Sequence, residues 1–444
     1  MHRHISSAFW KVFCPVLLLM LLSVPCWAAA KQVRPTMVPD KPSSSATRGS
    51  APKAEEPNKQ GRAPKEEPTI RVGLSDGQTS AVVTTDADYL LCDAATGQKL
   101  EKMAGKTVTT VTVRERKFVV NGKAIAAKAI RFSLADSRTL RYLSVDGKKY
   151  HGTIALDLAD DGTITVINEV KLDDYIGGVI SEEMSPSWPM EALKAQAVAA
   201  RTFAVYSLGK HNEEGYDVCA TTHCQVYGGI ESESPEGLRA VSSTRGEIMT
   251  YQGKPIYAAF HASSGGMTAG SEEAGGTALP YLKPVRDPQD AGADSHWQVS
   301  LSAKELASDL AAAGFRIGTL KAVELTPLKI GKGAADRYAS GRVKEVRFIG
   351  TTQTVSVSGP KLRWIVGLPS TLFDFRFGTE KKTNPNTKGK IEISNSNTLL
   401  VFDGDGRGHG IGLSQWGAKG MAAKQKYREI LSHYYKDVEI AWLF

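Results

Sequence analysis

The sequence predicts an α+β fold, a β-rich N-terminal lobe followed by a mixed α/β region, on three observations. Between residues 69 and 170, β-branched and polar residues alternate in short runs such as TIRVGL, SAVVTT, TVTTVTV, KFVVNG, AIRFSL, RYLSVDG, GTIALDL and GTITVINEV, separated by Gly, Asp and Asn. This is the period-two pattern of antiparallel hairpins. A long alanine-rich helix follows Pro189. The strand-like and helix-like stretches come in blocks and do not strictly alternate, which favours α+β over a wound parallel sheet.

In chain order, residues 1–30 read as a secretory leader. Arg3 and Lys11 give a positive start, residues 12–24 an apolar run, and Ala28-Ala29-Ala30 a small-residue cleavage site. The run falls short of the roughly 20 residues of a membrane span. The expectation is therefore an exported protein of the periplasm or the cell wall and extracellular space, with membrane attachment only through an uncleaved leader. Residues 31–68 hold seven of the 20 prolines, with Ser, Lys and Glu and almost no large apolar residues. Such a composition buries too little surface to offset chain entropy and predicts a disordered tether. The leader and tether together carry ten basic and five acidic residues, so they account for five of the net +8 charges. The remaining chain lacks the concentrated basic face that phosphate binding needs, so nucleic acid is not an expected partner.

Residues 69–170 form the expected β-rich lobe, with Asn121-Gly122, Asp146-Gly147 and Asp161-Gly162 as turn dipeptides suited to positive φ. Residues 171–444 follow as the mixed region. Its first stretch, LDDYIGGVISEEMSPSWPMEALKAQAVAARTFAVYS, reads as a strand-like start with adjacent Glu182 and Glu183, a Ser/Pro turn through Trp188, and then the helix. Ser187 is positioned to cap that helix, Pro189 to occupy its first turn, and Glu191 to place negative charge near its N-terminus. Leu193, Ala197, Ala200 and Ala204 fall on one face, and so many alanines imply close approach of another element. Gln196 and Arg201 stand out in that setting, because a buried guanidinium needs a partner.

Further on, the pattern predicts a helix at 235–242, strands at GEIMTY and IYAAFHAS, a loop at 263–276, a helix near 303–313, strands at VKEVRFIG and QTVSVSG, and a polar loop at 381–390. A helix over about 415–435 and a final strand EIAWLF close the chain.

Three patterns carry chemistry. Glu182 and Glu183 are neighbours, so they point to opposite sides of a strand or about 100° apart on a helix and cannot converge as an acid/base pair. At most one of them faces a site. Removing the leader leaves Cys92, Cys219 and Cys224, and Cys92 in YLLCD reads as a small buried hydrophobe. Cys219, His223 and Cys224, with His211 upstream, suit a zinc site; a Cys219–Cys224 disulfide in an oxidising compartment is the alternative. A closed four-ligand site would be structural, and only an open position would make the metal a Lewis acid. The glycine-rich GDGRGHGIGLSQWG lacks the Lys-Ser/Thr ending of a phosphate loop and the closing Glu of an EF-hand. Its glycines around His409 suggest backbone approaching a ligand closely. Ser263 and Ser264, in SSGG, offer hydroxyls and backbone N–H groups.

Four stretches, EEMSPSWPMEALKAQAVAARTFA, CATTHCQVYGG, SSGGMT and GHGIGLSQWGAKGMA, occur in this order between residues 69 and 444. Together they resemble the SpoIID/LytB family, the stage II sporulation protein D and amidase-enhancer group. The resemblance implies a bacterial cell-wall protein acting on peptidoglycan. Its expected activity is that of a lytic transglycosylase cleaving the MurNAc-β-1,4-GlcNAc bond of denuded glycan strands to a 1,6-anhydro product. The family's catalytic glutamate directly precedes the motif Met, which matches Glu183 as general acid/base; Ser185 here separates the Met and Pro that are often adjacent. The resemblance also implies a structural zinc on Cys219, His223 and Cys224, with His211 the nearest fourth ligand. Beside these, Gln196, Arg201, Tyr227, Ser263, Ser264, His409 and Gln415 are the expected substrate-binding set. Arg201 beside Glu183 would lower the acid's pKa, so its expected partner is a substrate or structural carboxylate. The alternative function is a non-catalytic glycan-binding module that recruits or enhances a cell-wall amidase as its partner. A zinc-dependent amidase would require an open metal position.

Overall fold

The computed structural model describes residues 66–136, 142–290, 295–379 and 381–444. The expected leader, and the expected tether before residue 66, lie outside the described residues. Seven α-helices and several small sheets make up the described chain, in keeping with α+β.

The runs between 69 and 170 are strands, as their alternation predicts. They build a seven-stranded sheet, in the order Val218–Cys219, Thr69–Gln78, Ile164–Lys171, Thr153–Leu158, Ala129–Leu134, Tyr89–Asp93 and Lys99–Met103. A six-stranded sheet includes Ser80–Thr84, Thr109–Arg114 and Lys117–Val120. Asn121 and Gly122, and Asp146 and Gly147, all take positive φ, the geometry of a tight hairpin turn, whereas in the third dipeptide only Gly162 does. Cys92 lies on Tyr89–Asp93 and is half-buried, not fully enclosed, because inward and outward positions alternate along the strand.

The stretch after the last long strand corrects one expectation. Residues Leu172–Glu183 form a helix, α1, not a strand. Leu172, Tyr175, Ile176, Val179 and Ile180 are buried at helical spacing, and that 3.6-residue period outweighs the helix cost of Gly177 and Gly178. The glycine is required by packing: a Cβ on Gly178 would lie 2.5 Å from the Tyr227 ring. Helix α2 spans Met190–Tyr206 with Pro189 as its N-cap. Ser187 does not cap it; its hydroxyl pairs with that of Ser185 at 2.9 Å. Glu191 in the first turn accepts from the Tyr427 N–H at 2.9 Å, tying α2 to the C-terminal helices.

Nearly all of α2 is buried, including Leu193, Ala197, Ala200 and Ala204. Its small side chains allow α1, α3 (Pro235–Ser243), α6 (Gln415–Met421) and α7 (Tyr427–Tyr434) to pack around it. Two cores meet on this helix. One runs from Ile70 through the β-rich sheets to Ala197, Ala200 and Ala204, and the other joins Leu193 and Val198 to Leu413, Ile430 and Tyr434. The expected continuous helix over 415–435 is thus two helices, and the final strand, Glu439–Trp442, pairs with Glu247–Tyr251.

A third core, from Trp297 to Phe402, is built separately. Two four-stranded sheets with α4 (Ala303–Ala312) and α5 (Gly359–Val366) enclose it. Ser302 and Glu305 cap α4 with a reciprocal capping box. The segment expected as a polar loop at 381–390 contributes the edge strand Lys382–Pro385, whose exposed position tolerates its polar composition. Among the described residues no helix is long and apolar enough to cross a membrane.

Candidate active site and metal centre

Helix α1 separates the two glutamates as neighbouring helical positions must be. Glu182 is exposed and accepts a hydrogen bond from the Ser232 hydroxyl, whereas Glu183, the last residue of the helix, turns inward. Gln415 Nε2, at the start of α6, donates to Glu183 Oε2 at 3.2 Å. Burial raises the Glu183 pKa above the usual carboxylate value, opposed by the Gln415 side chain and the Val226 backbone N–H and reinforced by Glu182. The helix C-terminus also disfavours an anion there. The result is a single carboxyl held toward its protonated form, with donors fixed against it.

Gln415 owes its place to a network behind it. Ser414 caps α6 through the Gly417 N–H, and the two-residue strand Leu413–Ser414 runs parallel to Phe260–His261. Asp287 is fully buried and accepts from Ser264 at 3.0 Å and Tyr434 at 3.0 Å, with Ser414 bonded to it as well. Burial, with Asp290 nearby, pushes Asp287 up to about 6. The Asp287 carboxylate lies where a Cβ on Gly417 would have to go, at 2.3 Å, so only glycine fits at that point of SQWG.

The remaining members of the expected substrate-binding set are held inside the protein. Ser263 and Ser264 donate to Asp290 at 2.9 and 2.8 Å, so their hydroxyls are committed to the Asp287–Asp290 pair. His409 Nδ1 accepts from the Ile411 N–H at 3.0 Å, and the Phe260 carbonyl takes its other hydrogen bond. Burial pushes this imidazole down to about 4, so it is neutral near pH 7. Tyr227 is buried between Tyr150 and Tyr175, with its hydroxyl on Asn168 at 2.8 Å. Arg201 is fully buried, 2.6 Å from Asp173, and donates to the Glu247 and Val241 carbonyls. That partner is the structural carboxylate anticipated for it, and removing one side of such a buried pair costs about 3–5 kcal/mol. Gln196 is buried too, and neither amide atom has a hydrogen-bond partner among the described residues.

A second polar centre lies next to the first. One ligand atom each from His211, Cys219, His223 and Cys224 lies within 4.8 Å of the others, and the two cysteines are free thiols. Cys224 Sγ is 3.4 Å from His211 Nε2, and Cys219 Sγ is 3.6 Å from His223 Nδ1. His211 Nδ1 faces Glu214 at 3.5 Å, which orients the ring toward the cysteines. Two sulfurs and two imidazoles closing on one point fit a tetrahedral soft cation, and all four positions are supplied by protein. Tyr175 links the two centres: its hydroxyl donates to Gln225 at 3.2 Å, and burial pushes it well above its usual pKa, with Cys224, Cys219 and Glu183 adding to the rise.

Sequence reasoning did not foresee the aromatic side of the site. Trp188, in the turn after Glu183, and Trp416, next to Gln415, approach to 4.9 Å between ring centroids at an interplanar angle of 57°. Lys419 Nζ stands 4.1 Å from the Trp416 centroid and 4.9 Å from that of Trp188. Each tryptophan lies within one of the recognisable motifs, and that placement was the available signal.

The family model described as "Stage II sporulation protein" matches residues 160–251, the segment that carries Glu183 and all four clustered ligands. An "Uncharacterized protein" of Brachyspira hyodysenteriae is 34% identical over 377 residues, covering 84% of this chain and 92% of its own length. The "Stage II sporulation protein D" of Bacillus amyloliquefaciens is 30% identical over 296 residues, 62% of this chain and 75% of that protein. The "Amidase enhancer" of Bacillus subtilis is 33% identical over 351 residues, 69% of this chain, and the match spans 46% of that longer protein.

Proposed function

The chain belongs to the stage II sporulation protein D family, with a cell-wall-related function, and from that premise we propose that it is an exported peptidoglycan lytic transglycosylase with Glu183 as its general acid and base. The observation that carries this reading is the inward, desolvated Glu183 beside Gln415, with Glu182 facing solvent. Cleavage of a β-1,4 glycosidic bond requires protonation of the leaving oxygen and passage through an oxocarbenium-like state. Protonated Glu183 gives its proton to the GlcNAc O4 as the bond from O4 to MurNAc C1 breaks. The MurNAc C6 hydroxyl then bonds to C1 and returns its proton to Glu183. No water is consumed, so one carboxyl suffices. A raised pKa keeps that carboxyl protonated closer to neutral pH.

Zinc on His211, Cys219, His223 and Cys224 is the second part of the proposal. With four protein ligands it supplies no open position and acts by holding residues 211–224 in place. The same segment continues to Val226, whose N–H bonds to Glu183.

The test is incubation of the mature protein with denuded glycan strands, followed by mass spectrometry of the products. 1,6-Anhydro-muramyl ends are expected from the wild type and not from Glu183→Gln. Absence of such ends from the wild type would sink the proposal. The relative named "Amidase enhancer" favours a second reading, a glycan-binding module that stimulates an amidase. On that reading glycan binding and amidase stimulation both survive Glu183→Gln.

A further inference from the structure

We propose that Arg342, Arg363, His261 and His409 form a binding site for a small protonated oxyanion of the phosphate class, which fastens the part of the chain built on the third core to the glycine-rich loop before Gln415. The proposal does not depend on the reading of Glu183. Among the described residues three arginines are buried, and two of them face an aspartate: Arg201 lies 2.6 Å from Asp173, and Arg337 lies 3.4 Å from Asp374. The third, Arg342, has no exposed surface and no carboxylate within ion-pair distance among the described residues. Its Nη2 donates to the Ser264 carbonyl at 2.9 Å, while Nε and Nη1 have no acceptor among those residues. Glu273 and Asp290 are near enough to favour its charge, but Glu273 is bonded to Ser340, and Asp290 to Ser263, Ser264 and the Gly265 N–H. A guanidinium buried in this way is costly unless an anion meets it.

The surroundings define what that anion must offer. Arg363, on α5, donates through Nε to the Leu368 carbonyl at 3.1 Å, has no ion-pair partner among the described residues, and acts on Arg342, His261 and His409 as a nearby positive charge. The rings of His261 and His409 are 5.6 Å apart. His261 is buried with Nδ1 facing the Ile411 carbonyl at 3.0 Å, so Nδ1 carries the hydrogen and Nε2 is left as an acceptor, again without a partner among the described residues. The loop glycines bring backbone onto these side chains: a Cβ on Gly410 would lie 2.4 Å from the Arg342 guanidinium, and one on Gly408 would lie 2.9 Å from His261. His409 and Arg363 are half-buried, and the cluster reaches solvent through them. Guanidinium donors beside a lone-pair acceptor call for a ligand that is anionic and also carries an O–H. Hydrogenphosphate and a singly protonated phosphate monoester meet both demands. Sulfate and a simple carboxylate have no O–H to give His261.

The test titrates the full chain with inorganic phosphate at constant ionic strength, by calorimetry and by melting temperature. Saturable one-to-one binding is expected, with a melting temperature that rises with phosphate as mass action requires. Sulfate should bind about tenfold more weakly or worse, because it leaves the buried His261 acceptor unmet. Arg363→Gln should weaken phosphate binding roughly five- to tenfold, the effect of one screened charge pair, and Arg342→Gln should abolish it. Glucose 1-phosphate separates the two sources: affinity equal to that of phosphate identifies a phosphate monoester as the ligand, and its exclusion identifies the free ion. Absence of saturable phosphate binding by the wild type would overturn the proposal. So would equal affinity for phosphate and sulfate, the mark of a general counter-ion effect, or unchanged affinity in Arg363→Gln. If Arg342→Gln does not fold, Arg363→Gln and the comparison of phosphate with sulfate decide the matter without it.

Discussion

Two polar centres share the stretch from Glu183 to Tyr227, and they are assembled in opposite ways. The cluster of His211, Cys219, His223 and Cys224 draws every ligand from one short run of chain. The carboxyl site depends on contacts across the whole protein: Glu183 meets Gln415 across 232 residues of sequence, and Trp188 meets Trp416 in the same way. A local cluster has its donors close together before the chain folds, so a metal can lock it at little loop-closure cost. A long-range site exists only once the cores around α2 are packed. The first centre is thus suited to stabilising, and the second to chemistry whose geometry is set by the completed fold.

Substitutions at each centre should separate these roles. The largest effect expected is at Glu183. Glu183→Gln should cut formation of anhydro ends by about 10²–10⁴-fold, the usual share of general acid–base catalysis, measured by product mass spectrometry. Stability should move the other way. The folded-state pKa of Glu183 is raised, so its contribution to stability is present below the unfolded value and is lost as pH rises through the folded one. Near neutral pH the variant should therefore unfold at higher denaturant than the wild type, and a lower midpoint would contradict the burial assigned to this group.

The metal centre should show the reverse pattern. Chelation, or Cys224→Ser, should lower the melting temperature by about 4–6 °C, corresponding to a loss of about 3–5 kcal/mol, while the protein that remains folded keeps the wild-type pH profile. Retained stability in a protein shown by elemental analysis to have lost zinc would break the comparison.

Gln415→Ala is a smaller and more specific change. It removes a donor that favours the ionised carboxyl, so the Glu183 pKa should rise further. The alkaline limb of kcat/KM should then move to higher pH, with the maximal rate within about tenfold of wild type; a limb shifted to lower pH would contradict the assigned direction. The smallest effect belongs to Glu182→Gln. Glu182 is exposed and bonded to Ser232, so activity should stay within about twofold and stability within about 0.5 kcal/mol.

How much of this was legible in the sequence varied with distance along the chain. Alternation along residues 69–170 marked the strands, and the turn dipeptides Asn121-Gly122 and Asp146-Gly147 marked two hairpins, because both signals are local. Helix α1 was misjudged because Gly177 and Gly178 weaken a helical pattern that tertiary packing against Tyr227 restores. Arg201 announced its need for a partner, but Asp173 could be identified only when α1 and α2 were packed. Ser263, Ser264 and His409 stood out as polar groups on glycine-rich loops, yet buried Asp287, half-buried Asp290 and the Ile411 backbone take up their hydrogen bonds. Nothing near those residues in the chain signalled this.

By itself the sequence determined the β-rich start, the alanine helix, the family motifs, and the set of thiols and imidazoles between residues 211 and 224. Each of these rests on periodicity or on neighbours a few residues apart. The family resemblance pointed to Glu183 over Glu182, but only the tertiary structure gave the physical difference, one carboxyl turned inward and the other left in solvent. It also placed Gln415 against that carboxyl and brought Trp188, Trp416 and Lys419 together. The reason is physical: burial and desolvation, which move the Glu183 pKa, are properties of packed cores and have no counterpart in the order of residues along a chain.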